Sequence, residues 1–245
     1  LQDQTGMLER GGLNLYGSLY QRGEGISNFV PEEGFRIEFF ENKDGKANCV
    51  DFQDTEHNWL PELRGQNIEL QSEVRLKGNC YATMTGVAQV SGEDLLNLTI
   101  PSATLHVKGD VQLQRDFMMG NTNLIMDGAV DLNGHRMICG SLTFPDNCDG
   151  YLIMEHPDSQ LEVYGDFYTG SLHACDSMNQ GTISVYGNLT QKNNGTPDNL
   201  VTGEGLQLYF KGNNGIQWIS FDSPESQLYN VEIRNGLNGH VRFST

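Results

Sequence analysis

No stretch of this sequence approaches the run of about 18 apolar residues that a membrane-crossing helix requires. The first residues, Leu1-Gln2-Asp3-Gln4, carry neither the basic region nor the apolar core of a secretory signal. An initiating Met is missing too, so we expect a segment of a longer protein whose export signal lies outside it. Cations are scarce: 15 Lys and Arg face 32 Asp and Glu, a formal net charge of −17. A surface of that sign repels phosphate backbones and anionic headgroups, and neither nucleic acid nor a membrane surface is expected as a partner.

Clustered metal ligands and recognised catalytic signatures are lacking as well. The five cysteines, Cys49, Cys80, Cys139, Cys148 and Cys175, are odd in number and show no CxxC spacing. Most of them read as buried free thiols acting as small hydrophobes, with Cys139 and Cys148 a pair that a turn at Pro145-Asp146 could bring together. The histidines His57, His106, His135, His156, His173 and His240 are isolated, without HxH or HExxH spacing, and GxSxG is absent. The oxygen-rich string NKDGKAN (42–48) lacks the closing acid of a calcium loop and reads as a hairpin turn. NLT at 97–99, NLT at 188–190 and NGT at 194–196 match the glycosylation acceptor pattern. No metal and no cofactor are predicted, and the chain is not expected to be an enzyme.

What the chain has in quantity is glycine, 29 residues, against a hydrophobic share of only 37%. The apolar groups must therefore be spread over many short segments. Gly and Asn interrupt nearly every ten-residue window, which defeats long amphipathic helices and leaves at most a helical turn in GEDLLNL (92–98). The composition predicts an all-β chain.

Sliding the sequence on itself by about 170 residues exposes a long repeat. GGLNLYGSLYQ (11–21) falls on GTISVYGNLTQ (181–191), GFRIEFFENKDG (34–45) on GLQLYFKGNNG (205–215), and VDFQDTEHNWLPELR (50–64) on ISFDSPESQLYNVEIR (219–234). We therefore divide the chain into residues 1–70, the C-terminal part of one repeat, and 71–245, a second and complete one, expected to form one continuous solenoid.

A shorter motif, an alternating strand followed by glycine and a second strand, recurs as LHVKGDVQL (105–113), RMICGSLTF (136–144), LEVYGDFYT (161–169), ISVYGNLTQ (183–191) and LQLYFKGNN (206–214). Its glycines are Gly109, Gly140, Gly165, Gly187 and Gly212, with the widest interval between the first two. Coils of about 20–25 residues with insertions predict a parallel β-solenoid (β-helix), right-handed as parallel crossovers are. In LEVYGDFYTG, Leu161 and Val163 should face inward and Glu162 and Tyr164 outward, with Gly165 supplying the bend or a positive φ and Phe167 resuming the inward row. A β-sandwich or propeller is the rival architecture.

The strings ISVYGNLTQ (183–191), LQLYFKGNN (206–214) and IQWISFDSPESQLYNVEIRN (216–235) resemble repeat segments of large secreted and cell-surface proteins of Gram-positive bacteria. More loosely, the stacked coils are similar to the shafts of filamentous haemagglutinin-like adhesins and contact-dependent toxins. The first copy departs from the pattern where CVDFQDTEHNW replaces WISFDSPESQL. The resemblance implies an extracellular or cell-surface location and a stalk, spacer or adhesive shaft whose partners are neighbouring repeats of the same polypeptide, with a cell-surface receptor or glycan as a further partner class.

The alternative class is a carbohydrate-binding or carbohydrate-active β-helix. Asp110 and Asp166 both follow a coil glycine and could line one ridge as acid and base. Tyr16, Tyr164 and Tyr186 occupy equivalent outward positions and form the candidate ligand face, a ladder suited to sugar rings.

Overall fold

The computed structural model describes residues 8, 10–25, 27–32, 34–42, 44–78, 80–95, 104–170, 177–192, 200–212, 215–224, 226–236 and 239–244. Cys175, His173, the Leu96–Leu98 end of the expected helical turn and the acceptor motifs at 97–99 and 194–196 lie outside them. The chain divides into two units, Leu1–His106 and Val107–Thr245. Both are parallel β-solenoid structures, as the strand–glycine motif predicts.

In the first unit the strands are β1 (Gly11–Leu15), β2 (Leu19–Gln21), β3 (Phe35–Phe39), β4 (Asn48–Phe52), β5 (Trp59–Leu60), β6 (Glu62–Leu70), β7 (Val74–Leu76), β8 (Cys80–Thr85) and β9 (Val87–Ser91). A single helical turn, α1 (Gly92–Leu95), follows. β1, β3 and the first half of β6 form one row, β2, β4 and the second half of β6 another, and β5, β7 and β9 the start of a third. β6 serves two rows because it bends at a bulge, where Gly65 (φ 134) and Asn67 (φ 55) adopt left-handed backbone and the register with β8 shifts. NKDGKAN is indeed a turn, closed by the Gly45 N–H on the Asn42 carbonyl at 2.9 Å. It is not a hairpin, however: β3 and β4 on either side of it belong to different rows and pair with other coils.

β10 (Thr104–Lys108) straddles the boundary between the units. The second unit contains β11 (Val111–Gln112), β12 (Phe117–Met119), β13 (Asn123–Met126), β14 (Val130–Asp131), β15 (Arg136–Cys139), β16 (Leu142–Phe144), β17 (Leu152–Ile153), β18 (Gln160–Val163), β19 (Phe167–Thr169), β20 (Gln180–Val185), β21 (Leu189–Gln191), β22 (Gly205–Phe210), β23 (Gly215–Phe221), β24 (Asn230–Ile233) and β25 (Gly239–Ser244). Three parallel rows result. One runs β13-β16-β19-β21-β23-β25, a second runs β12-β15-β18-β20-β22-β24, and the short third row β11-β14-β17 is continued by bridges from Met154 to Met178 and Val201 to Gln227.

Register turns each inward position into a column. Leu124 pairs with Leu142, then Phe167, Leu189, Ile219 and Phe243, in unequal steps of which Leu124 to Leu142 is the shortest and Leu189 to Ile219 the longest. A parallel column runs Phe117, Met137, Leu161, Ile183, Leu208, Val231. All but the last member of each is buried, and each contributes about 1.5–3 kcal/mol of transfer free energy. Cys80 in the first unit and Cys139 in the second are each buried, and burial pushes their thiols up to about 12. They, Cys49 and Cys148 are all free, so the suggested Cys139–Cys148 pair does not form: Cys139 points into the core column while Cys148 lies near the Met126 carbonyl.

The corner glycines serve close stacking rather than a positive φ. A side chain on Gly187 would meet the Gly165 carbonyl carbon at 2.4 Å, and one on Gly165 would meet the Ser141 Oγ at the same distance. LHVKGDVQL is an exception in another way. Its Gly109 does have a positive φ of 83° and stacks against Gly128, at the corner leading into the short third row. The motif is thus out of phase with the other four, and the wide interval from Gly109 to Gly140 is not one coil.

The two copies of the long repeat share register where they align. Leu13–Ile37 and Leu15–Phe39 match Ile183–Leu208 and Val185–Phe210, and Leu19–Val50 and Gln21–Phe52 match Leu189–Ile219 and Gln191–Phe221. Further on the correspondence slips by two residues, because Leu63 opposes Ile37 whereas Val231, not Ile233, opposes Leu208. A two-residue slip keeps the same face inward, so it does not expose the core.

Leu161→Asp is expected to lower stability by about 4 kcal/mol or more, since an unpaired carboxylate would sit inside the column, whereas Glu162→Ser on the outer face should cost about 1 kcal/mol. Gly187→Ala should fall between them, at about 1–3 kcal/mol of overpacking. Urea unfolding of the three variants checks the order, and equal losses for Leu161→Asp and Glu162→Ser would contradict the inward-outward assignment.

Candidate functional site

Alternation that sends Leu161, Val163, Ile183 and Val185 inward sends the intervening residues to the outer face of the β18-β20-β22-β24 row. The ladder bonds Tyr186 N–H to Val163 O (2.9 Å), Lys211 N–H to Val185 O (2.9 Å) and Arg234 N–H to Phe210 O (2.7 Å) place Tyr164, Tyr186, Lys211 and Arg234 in one outer column. Beside it runs Glu162, Ser184, Tyr209, Glu232.

Side chains on these columns engage one another. The Tyr164 and Tyr186 rings meet edge to face with centroids 5.1 Å apart, and Tyr164 remains 48% exposed. The Lys211 ammonium lies 5.8 Å from the Tyr186 ring centre and 5.2 Å from that of Tyr209, and the Arg234 guanidinium covers Tyr209 at 4.1 Å. Arg136 pairs with Glu162, and Arg234 with Glu232 at 2.6 Å. These bonds raise both arginines above their ordinary pKa, and the Arg234 bond holds Glu232 below its own. Burial, followed by the nearby Glu162 charge, raises Tyr186.

Of the three tyrosines singled out from sequence, Tyr164 and Tyr186 are therefore adjacent. Tyr16 belongs to the first unit, where it stacks on Phe40 at 4.9 Å with the rings 17° apart. Arg64 in that unit repeats the Arg234 pattern, bonding Glu62 at 2.7 Å and covering the Tyr81 ring at 5.2 Å. Sequence reading missed Tyr209, Lys211 and Arg234. The matched Glu62-x-Arg64 and Glu232-x-Arg234 strings carried the available signal for the last of them.

Asp110 and Asp166 do not share a ridge. Asp110 sits at the corner entering the short row and accepts the Ala129 N–H at 2.8 Å, while Asp166 sits between β18 and β19 and accepts the Asn188 N–H at 2.7 Å. Asn123 accepts from Ser141 N–H (2.9 Å), Asn188 from Trp218 N–H (2.8 Å) and Ser18 from Cys49 N–H (2.9 Å). All five side chains tie one coil to the next. A recess of about 300 Å³ over the β6 bulge is lined by Gln66, Asn67, Ile68, Thr83, Met84 and Thr85, none of them titratable. Among the described residues no three His, Cys, Asp or Glu side chains converge to hold a metal.

A second cluster of perturbed groups lies in the first unit, in the turn after β4. The buried Asp54 carboxylate accepts N–H bonds from His57 (3.0 Å), Gly25 (2.6 Å) and Glu56 (3.2 Å), and the His57 ring Nδ1 lies 3.0 Å from both of its oxygens. The His57 backbone bond foremost lowers Asp54 from 3.8 to about 2, and the Asp54 bond raises His57 above 6.5. The Asp54 N–H in turn reaches the buried Gln21 amide oxygen at 2.9 Å, and Ser223 N–H reaches Gln191 at 3.1 Å in the second copy. The bond from the turn to the buried glutamine is thus repeated in both copies, with Ser223 in the place of Asp54, whereas the Asp54–His57 pair belongs to the first copy.

No protein-family model, no curated protein and no solved structure matches the chain.

A depressed carboxyl stabilises the fold fully above its unfolded value and loses that contribution as pH falls through the folded one. The Asp54 share should therefore vanish between about pH 4 and 2. The raised His57 contributes fully below 6.5 and fades as pH climbs through its folded value. Asp54→Asn should lower the melting temperature at pH 5 and flatten the decline between pH 4 and 2. A wild-type-like acid limb in that variant would assign the acid sensitivity to other carboxylates.

Proposed function

We propose that this chain is a non-catalytic structural repeat segment, serving as stalk, spacer or adhesive shaft of a large secreted bacterial surface protein or toxin, and that neighbouring repeats are its direct partners. One observation carries the reading. Among the described residues the inward columns end in β24 and β25, whose apolar side chains are uncovered: Val231 is 38%, Ile233 53% and Phe243 61% exposed. In the first copy the positions corresponding to Val231 and Phe243 are Leu63 and Leu70, and both are buried, with Leu63 paired to Cys80 of β8.

Residues that are interior by pattern and exposed in fact form a surface fitted to another coil. The edges of β24 and β25 offer it unpaired backbone groups in parallel register. The coil corners support the non-catalytic part of the reading, since their acids are occupied by backbone N–H groups rather than aimed at a common point. A large secreted bacterial protein is the setting suggested by the resemblance of the repeat strings.

Residues 73–95 follow the covered counterpart strand in the first copy, so appending them after Thr245 places a further coil over Val231 and Phe243. The fusion is expected to melt several degrees higher than the parent and to bind less of a dye specific for exposed apolar surface. An unchanged melting temperature together with unchanged dye binding would count against the coil-stacking role.

A further inference from the structure

The excursion between β2 and β3, described at residues 22–25 and 27–31, is held to the next coil almost entirely by side chains. Among the described residues its one backbone bond to that coil is the long contact of the Trp59 N–H with the Phe29 carbonyl, 3.4 Å. The Gly23 N–H donates to Gln53 Oε1 (3.0 Å) and the Gly25 N–H to Asp54 Oδ2 (2.6 Å). Asn58 Oδ1 receives both the Asn28 N–H (3.1 Å) and the Phe29 N–H (2.7 Å). We infer that this excursion is a strap that opens in one piece while the coils beneath it stay stacked, and that the buried Asn58 amide is the latch that holds it closed.

The second copy supplies the contrast. Gln227 stands there in the place of Asn58, and it holds the corresponding excursion through its main chain: the Thr202 N–H donates to the Gln227 carbonyl at 3.0 Å, and the Gln227 N–H to the Leu200 carbonyl at 2.9 Å. Those bonds belong to the ladder and are lost only when strands separate. In the first copy a side chain does the same work. Asn58 is fully buried, and its Nδ2 donates to the Asp54 carbonyl at 2.9 Å, which fixes the amide with its oxygen toward the strap.

The strap also has hinges. Gly23 (φ 110) and Gly25 (φ 64) stand at one end and Gly34 (φ 89) at the other. A side chain on Gly25 or Gly34 would meet nothing within 4 Å, so these glycines serve backbone conformation rather than close stacking, and such positions absorb the torsional change of an opening segment. Beneath the strap, the Phe29 ring meets Phe52 edge-on at 5.5 Å and the Pro31 carbonyl accepts the Trp59 indole N–H at 3.0 Å. The ladder that places Phe52, Leu19–Val50 and Gln21–Phe52 between β2 and β4, does not pass through the strap. Opening therefore uncovers the Phe52 ring and the indole N–H without breaking the coil register, which makes this a gated apolar surface on a fixed frame.

The test is native-state hydrogen exchange of the whole chain, followed residue by residue by NMR at urea concentrations below unfolding. The amides of Gly23, Gly25, Asn28 and Phe29 should exchange together, about a hundred-fold or more faster than those of Ile37 and Val50, and with little urea dependence. Asn58→Ala should speed these strap amides by about ten-fold and leave Ile37 and Val50 unmoved. Phe29→Ala, which removes only the contact with Phe52, should act in the same direction and decides the matter if Asn58→Ala does not fold. Gln227→Ala should leave the Thr202 amide unchanged, because the main chain makes that hold. Strap amides that exchange at the rate and with the urea dependence of Ile37 and Val50 would overturn the inference. So would strap amides that neither substitution moves, or substitutions that speed Ile37 and Val50 as much as the strap.

Discussion

Backbone hydrogen bonds between successive coils are the constraint from which everything else in each unit follows. A coil cannot satisfy its own N–H and C=O groups, because its strands lie on different faces and do not pair with one another. Each must find its partners in the coil before and the coil after, in a fixed parallel register. Where the chain turns a corner and the ladder lapses, a side chain takes over: Asn123, Asp166, Asn188 and Ser18 each accept an N–H from the next coil, and the buried Gln21 and Gln191 do so in the two copies of the repeat. The acids and amides that stand out in the sequence are in large part this joinery.

Alternation and long-range repetition were legible because they follow from local geometry. Period two identified Leu161, Val163 and Phe167 as interior, and the offset between the two copies located strands that do share register. What sequence could not supply was phase. Gly-Asp after a strand suits any corner that must bond the coil above, so LHVKGDVQL looked like its four relatives while sitting at a different corner. The Glu62/Glu232 match likewise hid a two-residue slip, since strand chemistry is unchanged by it.

The candidate ligand face was half legible for the same reason. Tyr164 and Tyr186 lie at identical places in recognisable motifs, so their adjacency could be inferred. Tyr209, Lys211 and Arg234 join them only through register, across coils of unequal length, and no local string announces that they share a surface. Tyr16 has the same motif position and a different set of neighbours, which shows that a repeat preserves direction more readily than company.

Along the inward column, the chain travels much further from Leu189 to Ile219 than from Leu124 to Leu142, yet both steps end in the same place relative to their start. A turn can thus gain or lose a long stretch of chain while the inward side chain still lands on its predecessor. The ladder therefore separates the molecule into a fixed frame and excursions that the frame does not read. Such excursions are free to diversify, lengthen or be exchanged, so a lineage carrying this segment can remodel what it displays without refolding what holds it up.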